Sequence, residues 1–346
     1  NKDIIRKSIK KEEKELCSIC YYEDNYIVKM KCSHSICWNC ILRCYLSGYN
    51  KCGMCRYGIN MNPIAICLEN ITKTDCNPIY LPLISQVKPK KCIFIGIDGI
   101  RPDCLLKAKT PNIDNLIDRG VINFETQVTT DSYSAPSWSS ILSGLSQRDF
   151  SVYSNEQVEN EKYTWKTRNI FKELNEKEIK TYAYTSSWAG MNHLTKDATI
   201  KKHIISGTNY ENDVAIIKYT KEFINKPCYK NIFIFMYLSG IDKMGHHAGF
   251  SLQSTEYIKR IEKMDLSFKS LFESLYLNNY SIIVSTDHGG SNNKDLSENE
   301  KKLYEKKELE KQKNLIGVHG LELPQHKRIF QIYYGDIVNN DNKEIL

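Results

Sequence analysis

Nowhere in this 346-residue chain does an apolar run approach 18 residues; the best candidate, 232–238, is strand-sized. A hydrophobic membrane-spanning helix is therefore not expected, and no membrane partner. No basic stretch followed by an apolar one opens the chain, so a secretory leader is not seen and the expected location is cytoplasmic. A large excess of charge of one sign is also lacking, with 48 Lys and Arg against 41 Asp and Glu. The net +7 arises from many Lys interleaved with Glu. That is the pattern of a solvated surface, so direct nucleic-acid binding is not indicated, although an anionic substrate would not be repelled. The apolar share of 41% and charged share of 26% are those of a globular protein, and the length admits two domains.

Cysteine is the residue the chain has in excess, 13 in all. Eight ligands fall in a spaced array: Cys17-x2-Cys20, Cys32-x-His34-x2-Cys37-x2-Cys40 and Cys52-x2-Cys55, with eleven residues in each gap. Four pairs of soft ligands are what two tetrahedral zinc ions need, because a pair two residues apart reaches one metal from a tight turn. A stretch this short has too little apolar material to fold alone, so metal binding would supply its stability. Paired spacing of this kind points to metal in a reducing compartment rather than to secreted disulfides.

This array resembles a RING finger of the three-Cys, one-His, four-Cys type. The resemblance implies interleaved ligands, with Cys17, Cys20, Cys37 and Cys40 on one zinc and Cys32, His34, Cys52 and Cys55 on the other. It also implies recruitment of a ubiquitin-conjugating enzyme, through apolar Ile19 inside the first pair and Arg56 just after the last Cys. Gly53 and Cys44 depart from the pattern, standing where Pro and a large apolar residue are common. Around this finger, 1–16 reads as a charged tail or helix and 57–90, with four prolines, as a linker.

From residue 91 onward the texture changes. Apolar runs at 92–97 and 232–238, and the stretch Ser281-Ile-Ile-Val-Ser-Thr286 around its apolar centre, read as buried strands of the parallel kind. Each run ends in chemistry-bearing residues: Asp98-Gly99 after the first, Asp242-x3-His246 after the second, Asp287-His288-Gly289 after the third. A further segment, Gly317-Val-His319-Gly320, precedes a last strand at 329–334. Strand ends are where open α/β sheets place their ligands. Three carboxylates and three imidazoles are enough for two adjacent ions of the zinc type. Helices are expected at 110–120 with Thr110 as cap, at 165–176, at 212–225 and, strongly amphipathic, at 254–277. The polar stretch 291–314 reads as a solvated insertion.

Between the first two strands lies 127–144, crowded with hydroxyls and interrupted by Pro136, after which a helix is expected to start. The layout across about 91–335, within a domain taken as 91–346, resembles the alkaline phosphatase superfamily, nearest its nucleotide pyrophosphatase/phosphodiesterase branch. The segments carrying the likeness are Asp98-Gly-Ile-Arg-Pro-Asp103, Thr110-Pro-Asn-Ile-Asp114, Ser134-Ala-Pro136 with Leu142-Ser-Gly-Leu145, Asp242-x3-His246-x2-Gly249, Asp287-His288-Gly289 and His319-Gly320. The resemblance implies an α/β fold, a mixed, mainly parallel sheet flanked by helices. It implies a metal-dependent phosphoric ester hydrolase acting through a phosphoseryl intermediate on a small phosphate ester or nucleotide.

Carried over by position, Asp242, His246 and His319 would hold one divalent ion, and Asp98, Asp287, His288 and the nucleophile oxygen the other. The nucleophile stands two residues before the Pro, which selects Ser134 over Thr129, Thr130, Ser132 and Ser137. Asn155 lines up with a residue that binds a phosphoryl oxygen. Two other readings are set beside this one: a RING ligase or interaction protein whose second domain only binds ligand, and a sulfatase. Trp138 stands where the sulfatase motif has Arg, and is expected either to stack on a nucleobase or to pack a helix start.

Overall fold

The computed structural model describes residues 15–16, 23–24, 27–29, 35–37, 91–160, 163–226, 231–302, 315–339 and 344–345. The chain divides into two compact units, Lys2–Gln86 and Val87–Ile345. In the first, the described backbone forms two short antiparallel ladders, Glu15–Leu16 with Glu23–Asp24 and Ile27–Lys29 with Ser35–Cys37. Cys17, Cys20, Cys32, His34, Cys40, Cys52, Cys55, Ile19 and Arg56 lie outside the described residues, as does the side chain of Cys37. So do the linker and most of the Lys/Glu segment of the insertion.

The second unit is built on a seven-stranded sheet. Its strands are β1 (Lys91–Ile97), β2 (Val121–Asn123), β3 (Lys180–Ser186), β4 (Ile200–Ile204), β5 (Ile232–Leu238), β6 (Ser281–Ser285) and β7 (Gln331–Tyr334). The spatial order is β2-β7-β6-β1-β5-β3-β4. Strands β6, β1, β5, β3 and β4 run parallel, and β7 and β2 join antiparallel at one edge. The three expected apolar runs are the central three strands. Every residue of β5 and β6 is buried, as sheets covered by helices on both faces require.

Four helices matter for the site: α1 (Ser134–Ser143), α2 (Asn209–Ile224), α3 (Gly240–Ala248) and α4 (Thr255–Leu277). Helix α2 starts three residues earlier than periodicity suggests, because Thr208 and Glu211 close a capping box. Helix α4 buries Tyr257, Ile261, Met264, Phe268, Leu271 and Leu275 along one face, and Ser254 accepts from the Tyr257 amide at its start. Among the described residues no helix is long and apolar enough to cross a membrane.

Several local expectations change. The helix expected at 165–176 begins at Ile170, because the Asn169 side chain accepts from the Phe171 and Lys172 amides and starts it there. Thr110 occupies a cap position without making the cap bond; Asp265 of α4 takes the Asn112 and Ile113 amides instead. Helix α1 starts at Ser134 rather than after Pro136. A proline in the first turn costs little, since its missing N–H has no partner in the helix. The insertion is rooted rather than wholly solvated. Ser291–Asn292 pairs with Gly317–Val318, and Leu296 packs with Val318 and Leu321.

Candidate active site

Sheet register brings the three strand ends together. Ile97 pairs with Leu238 and Gly96 with Ser285, so the residues beyond β1, β5 and β6 emerge side by side. The Asp98 amide continues the ladder by donating to Leu238 O at 2.9 Å. Gly99 turns the chain at φ 71°, in the left-handed region, and a side chain there would sit 2.7 Å from the Asp242 Cα. Only glycine meets both demands.

Asp242 and His246 share one face of α3, as four-residue spacing dictates, with Asp242 Oδ2 3.4 Å from His246 Nε2. His319 Nε2 lies 3.1 Å from His246 Nε2 and 3.8 Å from Asp242 Oδ1. On the other side, His288 Nε2 is 3.3 Å from Asp98 Oδ1 and 3.4 Å from Asp287 Oδ2. The His288 and His319 rings stack at 3.8 Å and join the two halves. Ser134 Oγ reaches this cluster from the first residue of α1, 3.2 Å from His288 Nε2 and 3.5 Å from Asp98 Oδ1.

The donor arithmetic of this cluster is one-sided. His246 Nδ1 faces Gly317 O at 2.9 Å, His288 Nδ1 faces Gly289 O at 2.9 Å, and His319 Nδ1 faces Ser132 O at 2.8 Å. A carbonyl only accepts, so each Nδ1 carries the proton and each Nε2 turns a lone pair inward. Asp242 Oδ1 and Asp287 Oδ2 are buried without a hydrogen-bond partner. Lone pairs and carboxylate oxygens thus converge with the Ser134 hydroxyl as the donor among them.

Burial pushes the Asp98 carboxyl up to about 7, and nearby Asp242 adds to it. Asp287 is held well above the ordinary range by burial and then by Asp98. Burial lowers His288, and lowers His319 further with help from the two neighbouring imidazoles, so both rings are neutral. Neutral imidazoles and crowded carboxylates are the donor set a cation relieves. Asp98, Asp287 and His288 offer atoms all within 4.8 Å of one another, and so do Asp242, His288 and His319. The residues fit a pair of metal ions, with His288 at the seam between the two groups.

The hydroxyls around Ser134 are spent elsewhere. Ser132 Oγ donates to Leu321 O, Ser137 Oγ sits against Thr130 Oγ1, and Ser140 Oγ donates to Leu145 O. Asn155 Oδ1 accepts from the Ala135 amide at 2.8 Å, which places this side chain beside the serine. Trp138 is no platform for a nucleobase. It is fully buried, and its indole N–H donates to Asp98 Oδ2 at 3.2 Å. Tyr237, which sequence reading passed over, donates to the same oxygen at 2.5 Å. Asp213 of α2 was passed over too; it takes the amides of Ser239 and Gly240 and so fastens the turn into α3. The signal for Tyr237 was its place one residue before the end of a strand; Asp213 offered none.

Strand-end carboxylates and imidazoles over a mainly parallel sheet, with a serine at a helix start, are the arrangement of alkaline phosphatase-like α/β proteins. The type I phosphodiesterase/nucleotide pyrophosphatase family matches residues 92–340, well over half of the sequence, and the chain belongs to this family. Among solved structures, murine ectonucleotide pyrophosphatase/phosphodiesterase 5, an inactive form in complex with AMP, superposes with a TM-score of 0.56 at 15% identity. That match covers 72% of this chain and 89% of the murine one. The human counterpart gives 0.53 at 16% identity over 72% and 89%. A putative sulfatase from Bacteroides thetaiotaomicron gives 0.54 at 12% over 73% and 66%. At these identities the likeness is one of fold. A search of curated protein sequences finds no match.

Proposed function

We propose that the second unit hydrolyses a phosphoric ester, a diester or nucleotide by preference, through a phosphoseryl intermediate on Ser134. The observation supporting this is the placement of Ser134 Oγ, 3.2 Å from His288 Nε2 and 3.5 Å from Asp98 Oδ1, at the start of a ten-residue helix. Asp242, His246 and His319 would hold one divalent ion, and Asp98, Asp287, His288 and Ser134 the other, both of the zinc type. When bound, such ions lower the pKa of a hydroxyl and neutralise charge developing on phosphoryl oxygens.

Ser134 Oγ, released of its proton, attacks phosphorus in line. The bond to the leaving oxygen breaks as the bond from the serine oxygen to phosphorus forms, and the leaving oxygen takes up, through solvent, the proton that Ser134 gave up. Water then displaces the serine oxygen, which recovers a proton. The helix start favours the negative charge gathered there. Asn155, anchored through Oδ1, keeps its Nδ2 hydrogens for a phosphoryl oxygen. The AMP bound by the murine structure supports a nucleotide as the substrate class.

The test uses the full chain with bis-p-nitrophenyl phosphate, p-nitrophenyl phosphate and p-nitrophenyl sulfate. Turnover of a phosphate ester that Ser134→Ala abolishes is the expected result. Turnover surviving in Ser134→Ala sinks the mechanism. Hydrolysis of the sulfate alone would favour a sulfatase, and binding of AMP without turnover a ligand-binding domain. The buried Trp138 in place of the sulfatase Arg supports phosphate.

For the finger we propose two zinc ions on its seven Cys and His34, and recruitment of a ubiquitin-conjugating enzyme through Ile19 and Arg56. Self-ubiquitination lost in Cys17→Ala is the expected result.

A further inference from the structure

Two buried aromatic donors beside the acceptor cluster have no part in the reaction just proposed. Trp138 lies one turn beyond Ser134 on α1, and Tyr237 lies next to the end of β5; neither is more than 1% exposed. Their rings meet edge to face at 5.6 Å. Both donate to one atom, Asp98 Oδ2, at 3.2 and 2.5 Å. Sequence provides the space: a Cβ on Gly96 would stand 2.4 Å from the Trp138 ring, so the indole lies against β1 only because that strand has glycine there.

An indole N–H can only donate, and a tyrosine hydroxyl has one proton to give. Two such donors occupy the outer oxygen of Asp98. The inner oxygen, Oδ1, is the one facing Ser134 Oγ and His288 Nε2. From this geometry we infer that Trp138 and Tyr237 are positioning residues that clamp Asp98 as a one-oxygen metal ligand, turned towards the nucleophile. The inference rests on the metal-pair reading of the Ser134 site. Without the clamp the carboxylate rotates and offers both oxygens, and the geometry between nucleophile and ion is lost. Groups that orient metal ligands in this way are worth about 10–100-fold in metal affinity.

The purely structural alternative is that each ring satisfies its polar atom on whatever acceptor is near. Zinc release separates the two. Full-length wild type, Tyr237→Phe and Trp138→Phe are equilibrated across a series of zinc buffers, and bound zinc per chain is counted, with melting recorded in parallel. Wild type is expected to hold four ions, two of them in the finger. Tyr237→Phe, nearly the same shape, is expected to release one ion at about 10–100-fold higher free zinc while the other three are unmoved. Trp138→Phe should shift the same ion, with a lower melting temperature from the space it leaves. Zinc release superimposable on wild type in both variants overturns the clamp, whatever happens to melting. Wild type that never holds more than two ions overturns the metal pair itself, a separate result.

Discussion

The Gly99 amide donates to Asp287 Oδ1 at 3.1 Å, across 188 residues of sequence. One oxygen of Asp287 is thereby tied to the β1 turn, and the other is left facing the centre without a hydrogen bond. Asp98 repeats the arrangement, with Oδ2 held and Oδ1 turned inward. Gly99→Ala would force a side chain into the left-handed region and against Asp242. It is expected to cost on the order of 1–3 kcal/mol and most of the turnover. Urea unfolding and a phosphodiester assay check both; a variant as stable and active as wild type would show the turn to be adaptable.

Asp242 offers a buried oxygen with no hydrogen-bond partner, 3.8 Å from His319 Nε2. Asp242→Asn keeps the shape and removes the charge. Bound zinc should fall from four ions per chain to three, and turnover by about 100-fold or more. Chelation is a poorer test, since it would also strip the zinc proposed for the Cys/His34 array. An unchanged count would remove Asp242 from the ligand set.

Asp213 supports the turn into α3 from outside the ligand set, taking the Ser239 amide at 3.0 Å, the Gly240 amide at 2.8 Å and the Ser186 hydroxyl. Burial pushes its carboxyl up to about 7 against these donors. An aspartate in the unfolded chain titrates near about 3.9. Between about 4 and 7 the folded protein therefore keeps a proton that the unfolded chain has released. This contribution to stability is full below that window and is lost as pH rises through it. Asp213→Asn sets an amide N–H against the Gly240 N–H, at a cost of about 1–3 kcal/mol. The gap between wild type and variant in urea should be widest at pH 5 and narrow towards pH 8. A gap independent of pH would show that Asp213 is ionised throughout.

Asp265 is a second buried carboxylate that binds backbone amides, in a helix junction away from the cluster. Its oxygens take the Ile113 amide at 2.7 Å and the Asn112 amide at 3.1 Å, tying α4 to the helix Pro111–Arg119. Asp265→Ala should destabilise the fold by about 1–3 kcal/mol, with kcat unchanged below the melting temperature. A fall in kcat at full folding would mean that the Thr110-Pro-Asn-Ile-Asp114 segment does more than hold a helix.

Much of the frame was legible from residue order. The runs at 92–97, 232–238 and 281–286 are the three central strands, because a strand buried on both faces has to be mostly apolar or made of small residues. The ends of those runs named Asp98, Asp242, His246, Asp287 and His288, and the spacing of Asp242 and His246 put them on one helical face. Helix starts were less legible. Asn169 and Asp265 act through side-chain bonds to backbone amides, and competing caps look alike in sequence.

What the chain's order determined by itself was the kind of chemistry: strand-end carboxylates and imidazoles, a serine two residues before proline, and family membership. The tertiary structure decided how each polar atom is used. It turned the hydroxyls of Ser132, Ser137 and Ser140 to other partners, set Ser134 against His288, and chose between the two expectations for Trp138 by burying it beside Asp98. The physical reason is that a hydrogen bond is a matter of ångströms and angles between atoms whose residues, as for Ser132 and Leu321, stand 189 positions apart. Two of those partners, Leu321 O and Leu145 O, are backbone carbonyls, which every residue carries and no sequence pattern marks.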